Sequence, residues 1–561
     1  MKTPLNIWHL VMIFAVGVLP FAATFALPYP DERHYTDGAL QMLRDHDWFV
    51  PKTPKDNSTE WLPRFHKPPL AYWAVAASFA ALGPSVPAAR LPFLLASCGT
   101  LLLTWRLARK LSGNNTTALL AAVILASHVQ FIFAATRSIP DALLVFFVTL
   151  SAFGFLRLIV FEELVGGAFW MAYGGAAGAA MSKGLLGLGI ALFAWAFAYM
   201  RERKLSAVKK LLHWPSLALA AALVGAWFGY IIHRYGMAAW NGFFGDQVSG
   251  NVHGAWWSLV WRAPVYGLVF AVNFLPWSLP ALEAWLRGNW KWVSAEGLTD
   301  VEFQRARSRK FILAWSAVLA IGFALGTNVS VRYLLPATPL LAVLVADIVA
   351  GTVATPLTFS VRRIFKFMLG LLLLLALVAG IVNAQWDLNP LLIMTVALFG
   401  AGIVTLGLGA LRRGWLTPNA GLGISILLVL PVLFFAVNRV LLPDPAEQLA
   451  STFRRARIDP TTPVLFVGRP ALVSGVRLFL GGKCNLIRAE RLDANEANRF
   501  VVALVPESQA GELARRGWEL LPAATIAGAP PAREWWPVLK SRTLPDALEQ
   551  HGGKYMLGLR N

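Results

Sequence analysis

The sequence predicts a polytopic α-helical membrane protein of about thirteen transmembrane helices with a small C-terminal α/β domain. Three observations carry this. Of 561 residues, 57% are hydrophobic and only 14% charged, more apolar side chain than a soluble interior of this size can hide. Apolar runs of membrane-spanning length alternate with short Lys/Arg clusters. After Pro443 the composition shifts to short apolar strands and amphipathic segments.

Taken in order, runs of about 17–25 residues lie near 6–27, 91–111, 117–136, 141–161, 165–182, 184–201, 215–235, 263–284, 311–327, 334–352, 367–384, 390–411 and 418–441. The opening run, Ile7 to Leu27, is too long for a signal-peptide core and lacks a small-x-small cleavage site, so it reads as a retained helix. The segment 68–83 starts at Pro68-Pro69 and is about a turn short of a span, so it reads as an interfacial or re-entrant helix.

That choice has a consequence for sidedness. With Lys2 inside, the clusters Arg106/Arg109/Lys110, Arg201/Arg203/Lys204, Arg305/Arg307/Arg309/Lys310, Arg362/Arg363/Lys366 and Arg412/Arg413 all fall on the cytoplasmic side. An odd number of spans then puts 443–561 outside, together with the 28–90 loop. The division is 1–442 for the membrane domain and 443–561 for a periplasmic α/β domain. In the latter, "PVLFVG" and "FVVALVP" read as strands, and "ALVSGVRLFL" and "SQAGELARRG" as helices.

The net charge of +20 is spread over those clusters rather than gathered in one patch, which excludes nucleic acid as a partner. Two cysteines, Cys98 and Cys484, give neither a disulfide framework nor a thiol metal site. No nucleotide-binding motif is present.

The distinctive polar residues gather on the outward face. "PYPDERHY" sets Asp31, Glu32 and Tyr35 at the exit of the first helix, and "RSIPDALL" sets Arg137 and Asp141 at the start of another. Both aspartates have the position of helix caps. Two carboxylates near one bilayer surface also suit a shared site. "PRFHKPP" supplies Arg64, His66 and Lys67, "MSKGLLG" Lys183, and "VSVRYLLP" Arg332 and Tyr333. Snorkelling to headgroups is the plain reading of such cations; a clamp around a phosphate accounts for Arg64, Lys67, Lys183 and Arg332 together.

In this order and sidedness, the acidic pair after helix one, the Arg-preceded Asp141, "KP" before "YW", the Lys-Gly between helices and "RYLLPATP" resemble the GT-C glycosyltransferases, specifically the aminoarabinose transferase branch. The resemblance implies a GT-C-like fold in the bacterial inner membrane. Its cavity would face the periplasm and be shared by an undecaprenyl phosphate-linked sugar and a lipid A acceptor. It implies Asp31 and Asp141, with Glu32 beside them, as the catalytic carboxylates, and Lys67, Arg332 and Tyr333 near the donor phosphate, joined by Lys183. Tyr35, Arg64 and Arg137 are the candidates for acceptor or substrate contact. In that family a Glu before the Lys and a later His are associated with a divalent metal. Here His66 stands at the first position and His253 is the candidate for the second. The departure at His66 admits glucosamine or another sugar as alternatives to 4-amino-4-deoxy-L-arabinose. A protein O-glycosyltransferase of the same superfamily, and a lipid transporter or flippase, are the competing functions; the lack of repeated halves speaks against the transporter.

Overall fold

The computed structural model describes residues 5–24, 31–245, 258–287, 299–324, 330–350, 366–374, 377–378, 390–412, 421–430, 445–459, 461–482, 484–525 and 553–560. Lys2, His253 and the boundary at Pro443 lie outside these described residues.

Helix α1 (Ile7–Thr24) leads to α2 (Glu32–Asp45), a short antiparallel ribbon of β1 (Lys52–Pro54) and β2 (Trp61–Pro63), and α3 (Leu70–Leu82). At 13 residues α3 is too short to cross a bilayer, as its expected interfacial placement requires. The bundle continues through α4 (Val86–Ser112), α5 (Asn115–Ala126), α6 (Val129–Ala135), α7 (Asp141–Ile159), α8 (Gly166–Lys183), α9 (Leu185–Glu202), α10 (Leu205–Lys209), α11 (Trp214–Tyr235) and α12 (Met237–Trp240). It then runs through α13 (Ser258–Asn273), α14 (Ser278–Leu286), α15 (Asp300–Ala324), a 3₁₀ turn (Val331–Ala337), α16 (Thr338–Ala350) and α17 (Pro390–Arg412).

Among the described residues, four helical segments are long and apolar enough to cross a membrane: Val86–Ser112, Asp141–Ile159, Trp214–Tyr235 and Arg332–Ala350. The number rises to 6 if two sharply bent pairs each count as a span. Those pairs correct the expectation of continuous helices over 117–136 and 263–284. The first bends by 71° between α5 and α6, the second by 117° between α13 and α14. At the first break Ser127 Oγ donates back to the Val123 and Ile124 carbonyls (2.9 and 3.1 Å), and His128 Nδ1 accepts from Phe131 N–H. Side chains thus satisfy the opened backbone in place of the helix ladder. The breaks pack on one another: Trp277 Nε1 donates to Ser127 Oγ (3.0 Å), and the His128 and Phe274 rings lie 4.9 Å apart.

Helices α7 and α8 run antiparallel with their backbones nearly touching. A Cβ on Gly154 would come within 2.3 Å of Ala172 N, and one on Gly175 within 2.5 Å of Ser151 N. Small residues permit this approach between helices that gain nothing from the hydrophobic effect in lipid. The register set by this seam brings Asp141, at the start of α7, opposite Lys183, at the end of α8.

At the far end of α7, about 28 Å away at 1.5 Å per residue, the basic clusters meet acids, Asp347 and Glu163 partly buried and Glu162 exposed. Glu163 is held by Lys110 and by Arg157 (2.7 Å). Glu162 faces Arg201 (3.7 Å) and Arg307 (3.5 Å). Asp347 receives Arg305 and Arg309. Three of the five clusters assigned to one side from sequence therefore share one end of the bundle.

The C-terminal residues form a five-stranded sheet in the order β4-β3-β5-β7-β6, with β3 (Val464–Val467), β4 (Leu486–Ala489) and β5 (Val502–Pro506) parallel and β6 (Glu519–Thr525) and β7 (Lys554–Leu559) antiparallel. Around it pack α18 (Pro445–Arg455), α19 (Pro470–Phe479), α20 (Ala494–Ala497) and α21 (Glu507–Ala514). Along β3, Val464 and Phe466 enter one core while Leu465 and Val467 enter the other. This explains why the strand reads as a continuous apolar run.

Candidate active site

Asp31 occupies the N-cap of α2, yet its side chain makes no capping bond. Asp141 is the first residue of α7, after the N-cap Pro140. Both carboxylates turn to cations instead. Arg332 Nη1 donates to Asp31 Oδ2 at 3.0 Å and lies 4.0 Å from Asp141 Oδ2. Lys183 Nζ pairs with Asp141 Oδ1. Four residues separated by up to 301 positions thus form one ion cluster.

The two carboxylates differ in access. The Asp31 side chain is 46% exposed, whereas that of Asp141 is 4% exposed. Asp141 therefore anchors the cations from below, and Asp31 is the carboxylate that a ligand can reach.

Tyr333 forms a wall of the cluster. Its ring stacks on Phe323 (centroids 5.0 Å), with Lys183 Nζ 5.4 Å and the Arg332 guanidinium carbon 5.9 Å from its centre. Lys67, from the loop ahead of α3, is half-buried within electrostatic range of Lys183, Asp141, Arg64 and Asp31. Burial pushes its pKa down to about 8, and the Lys183 charge adds to the shift. His34, on α2, is pushed down to about 3 by burial, then by Arg64, Arg33 and His66. It is neutral near pH 7 and adds no charge to the cations around it.

Glu32 has a different setting from its neighbour Asp31. Fully buried, it accepts from Arg90 Nε and Nη2 (3.0 and 2.9 Å) and from Ser138 N and Oγ (2.7 and 3.1 Å). Arg90 also donates to the Ala22 carbonyl (3.1 Å). Ser138 lies three residues before Asp141, so this junction ties the backbone of one carboxylate to that of the other. Neither Arg90 nor Ser138 stood out in the sequence. Arg90 precedes an apolar run like any snorkelling cation, and its partner is 58 positions away.

The remaining candidates divide. Tyr35 is buried, its ring 4.8 Å from that of Tyr72, so it packs beneath the site. Arg64 is half-buried, with Nε lacking a hydrogen-bond partner. Arg137 lies over the Phe133 ring at 5.2 Å. Among the described residues no group of three or more His, Cys, Asp or Glu is arranged to hold a metal. His66 has no such set around it, and His253 lies outside the described residues.

Comparison with known proteins follows the same lines. Residues 66–228 match the family described as dolichyl-phosphate-mannose-protein mannosyltransferase. An uncharacterised protein of Aquifex aeolicus is 28% identical over 322 residues, covering 57% of this chain and 58% of that one. The undecaprenyl phosphate-alpha-4-amino-4-deoxy-L-arabinose arabinosyl transferase of Pectobacterium atrosepticum is 27% identical over 351 residues, 60% of this chain and 59% of that one. The matches thus span less than two thirds of these relatives' lengths. Among solved structures, ArnT from Cupriavidus metallidurans bound to undecaprenyl phosphate superimposes with a TM-score of 0.68 at 16% identity, covering 92% of this chain and 96% of that one. The apo form gives 0.67.

The fold is the GT-C-like fold of the two ArnT structures. In sequence the chain is similar to the aminoarabinose transferase branch, which the motifs also resemble.

Proposed function

We propose that the protein is a glycosyltransferase of the bacterial inner membrane. It moves a sugar, 4-amino-4-deoxy-L-arabinose or another sugar such as glucosamine, from undecaprenyl phosphate to a phosphate of lipid A on the periplasmic side. One observation carries the reading: Asp31, Asp141, Lys183 and Arg332 meet at one end of the bundle, opposite the Arg/Lys belt. The positive-inside rule assigns that belt to the cytoplasm. The periplasmic sidedness of 28–90 and of 443–561, and the thirteen-span topology, belong to the same proposal.

The chemistry follows from the groups. An acceptor oxygen attacks the anomeric carbon, and the bond from that carbon to the donor phosphate oxygen breaks. The electron pair stays on the phosphate, which leaves as undecaprenyl phosphate. Its charge rises from one towards two, since a phosphate monoester has a second pKa of about 6. Preorganised cations that meet this growing charge supply the largest catalytic contribution. Lys67, Lys183 and Arg332 are the groups for it, with Tyr333 fixing their direction.

Arg332 is held by Asp31. A donor phosphate competing for Arg332 releases Asp31 towards the acceptor. A phosphate acceptor is already a nucleophile, so Asp31 then orients it or stabilises positive charge on the sugar; for a hydroxyl acceptor Asp31 serves as general base. Glu32, with Arg90 and Ser138, holds the two aspartates in register and takes no part in proton transfer. Arg64 and Arg137 are kept as candidates for anionic acceptor groups, with Tyr35 supporting from below. Should a divalent metal bind, His66 and His253 are the side chains the family pattern offers.

The match over 66–228 to a protein mannosyltransferase family supports a second reading, with Ser or Thr of a protein as acceptor. Mass spectrometry of lipid A from cells with and without the gene tests the first. Loss of one sugar increment supports it. An unchanged lipid A profile with altered periplasmic glycoproteins selects the second, and no change in either leaves transport without chemistry.

A further inference from the structure

We propose that the C-terminal sheet unit sets the aim of Asp31: Arg477 and Ser474, acting through Asp37, are positioning residues for the transfer reaction. The inference rests on the reading of Asp31 given above. Helix α2 carries three carboxylates at its start and first two turns. Asp31 faces Arg332, Glu32 is fixed by Arg90 and Ser138, and Asp37 is fixed from the C-terminal side.

Both Asp37 oxygens are used, Oδ1 accepting from Arg477 Nη1 (2.6 Å) and Oδ2 from Ser474 Oγ. Ser474 and Arg477 stand three residues apart on α19, so both reach the same spot. The pair is buried, at 5% and 3% side-chain exposure. Arg477 also donates through Nη2 to the Leu486 carbonyl of β4 (3.0 Å) and lies over the Trp61 ring of β2 at 5.2 Å.

Helix geometry gives this junction its meaning. Glu32 and Asp37 are five residues apart, about 140° around the helix at 3.6 residues per turn. The membrane bundle therefore grips α2 on one flank and the sheet unit grips it on another. A helix held on one flank alone can still roll; held on two, it cannot. Asp31 lies about 9 Å along the axis from Asp37, close enough for any roll to carry its carboxylate away from Arg332.

Neighbouring contacts close the same interface. Asn57 N–H donates to the Arg488 carbonyl at 2.7 Å, Arg488 pairs with Asp56, and Leu40 of α2 packs so tightly on Gly482 that a Cβ there would meet its Cδ2 at 2.7 Å. A buried ion pair gives little net stability over apolar side chains of equal volume. Its directed bonds do fix orientation, which is what the site needs from α2.

The test uses the full-length protein in nanodiscs, with Arg477→Gln, Arg477→Lys and Asp37→Asn. Lys55→Ala, which removes an exposed pair with Glu60 on the same outer loop, is the control. Turnover, undecaprenyl phosphate affinity and amide exchange over residues 32–37 are measured for each. Arg477→Gln is expected to lose about tenfold in kcat, to keep undecaprenyl phosphate Kd within about twofold, and to speed exchange of that segment about tenfold. Arg477→Lys should recover much of the turnover, and Lys55→Ala should change nothing. Unchanged turnover and exchange overturn the proposal; so does a parallel loss of undecaprenyl phosphate binding, which would mean general loosening. If the wild-type protein transfers no sugar, the functional reading fails while the exchange measurement still decides whether the sheet unit holds α2.

Discussion

The two ends of the helical bundle use the same residue types for opposite purposes. At the belt end, Glu162 and Glu163 are each shared by cations from separate segments and Asp347 by two from α15, tying the helices together. At the site end, Asp141 is shared in the same way by Lys183 and Arg332, but Asp31 is nearly half exposed and Arg64 and Lys67 stand nearby. Cations outnumber acids at both ends; the site end differs in holding a half-buried lysine, Lys67, within electrostatic range of Lys183, Arg64 and both aspartates. Cations each bonded to an acid make a static joint, whereas cations crowded within range of one another around an exposed carboxylate make a place for an anionic ligand.

The comparison can be broken most forcefully at Asp31 and Lys67. Asp31→Asn and Lys67→Ala are expected to lower kcat by about 10²–10³ in a purified assay, the usual cost of removing one electrostatic group from a site. Both should leave thermal unfolding close to wild type; near-normal transfer would remove them from the mechanism. Asp141→Asn should behave similarly in turnover.

Glu32→Gln tests the junction that ties the two aspartates together at the site end. Leaving Arg90 buried without its full partner should cost about 3–5 kcal/mol, seen as a large drop in unfolding temperature, with lost activity following the lost fold. At the belt, Asp347→Asn should destabilise by about 1–3 kcal/mol while turnover of the folded fraction stays within about twofold. A larger catalytic loss there would show that the belt is not merely structural.

A gentler probe is pH. The Lys67 ammonium, with its pKa near 8, is present below that value and lost above it. Undecaprenyl phosphate binding should therefore weaken as pH rises through about 8, and Lys67→Arg should flatten the profile. The sign for stability is the reverse. Between pH 8 and the ordinary lysine value of 10.5, the unfolded chain binds more protons than the folded one, so stability contributed by this group rises with pH across that window. A profile unaffected by Lys67→Arg would assign the titration elsewhere. Smallest of all, Tyr333→Phe keeps the aromatic face toward both cations and should change turnover by no more than about twofold.

Much of the site was legible because apolar sequence is a quiet background. Asp31, Lys67, Asp141, Lys183 and Arg332 each interrupt it at the end of a run, and counting runs put them on one face. Strands β3 and β5 were readable as continuous apolar runs; β4, β6 and β7 were not, since "LIRA" and "ELLPAAT" mix polar residues with few turn signals. The break at Ser127–His128 carries no proline or glycine and depends on side-chain bonds that only the folded chain displays. Arg90, Ser138, Asp37 and Arg477 escaped for a related reason. Their partners sit from 58 to 440 positions away, and nothing local distinguishes a buried ion pair from a solvated charge.

The glycine seam between α7 and α8 has a consequence of its own. Gly175 sits about 12 Å from Lys183 along the helix, near the midpoint of α8, yet it acts as the ruler by which Asp141 and Lys183 find one another. A methyl group there would push the two rods apart or make them slip. Because helical side chains come around only every 3.6 residues, a small slip offers no alternative mate. The pairing of Asp141 with Lys183 is thus hostage to a position that carries no charge and touches no ligand.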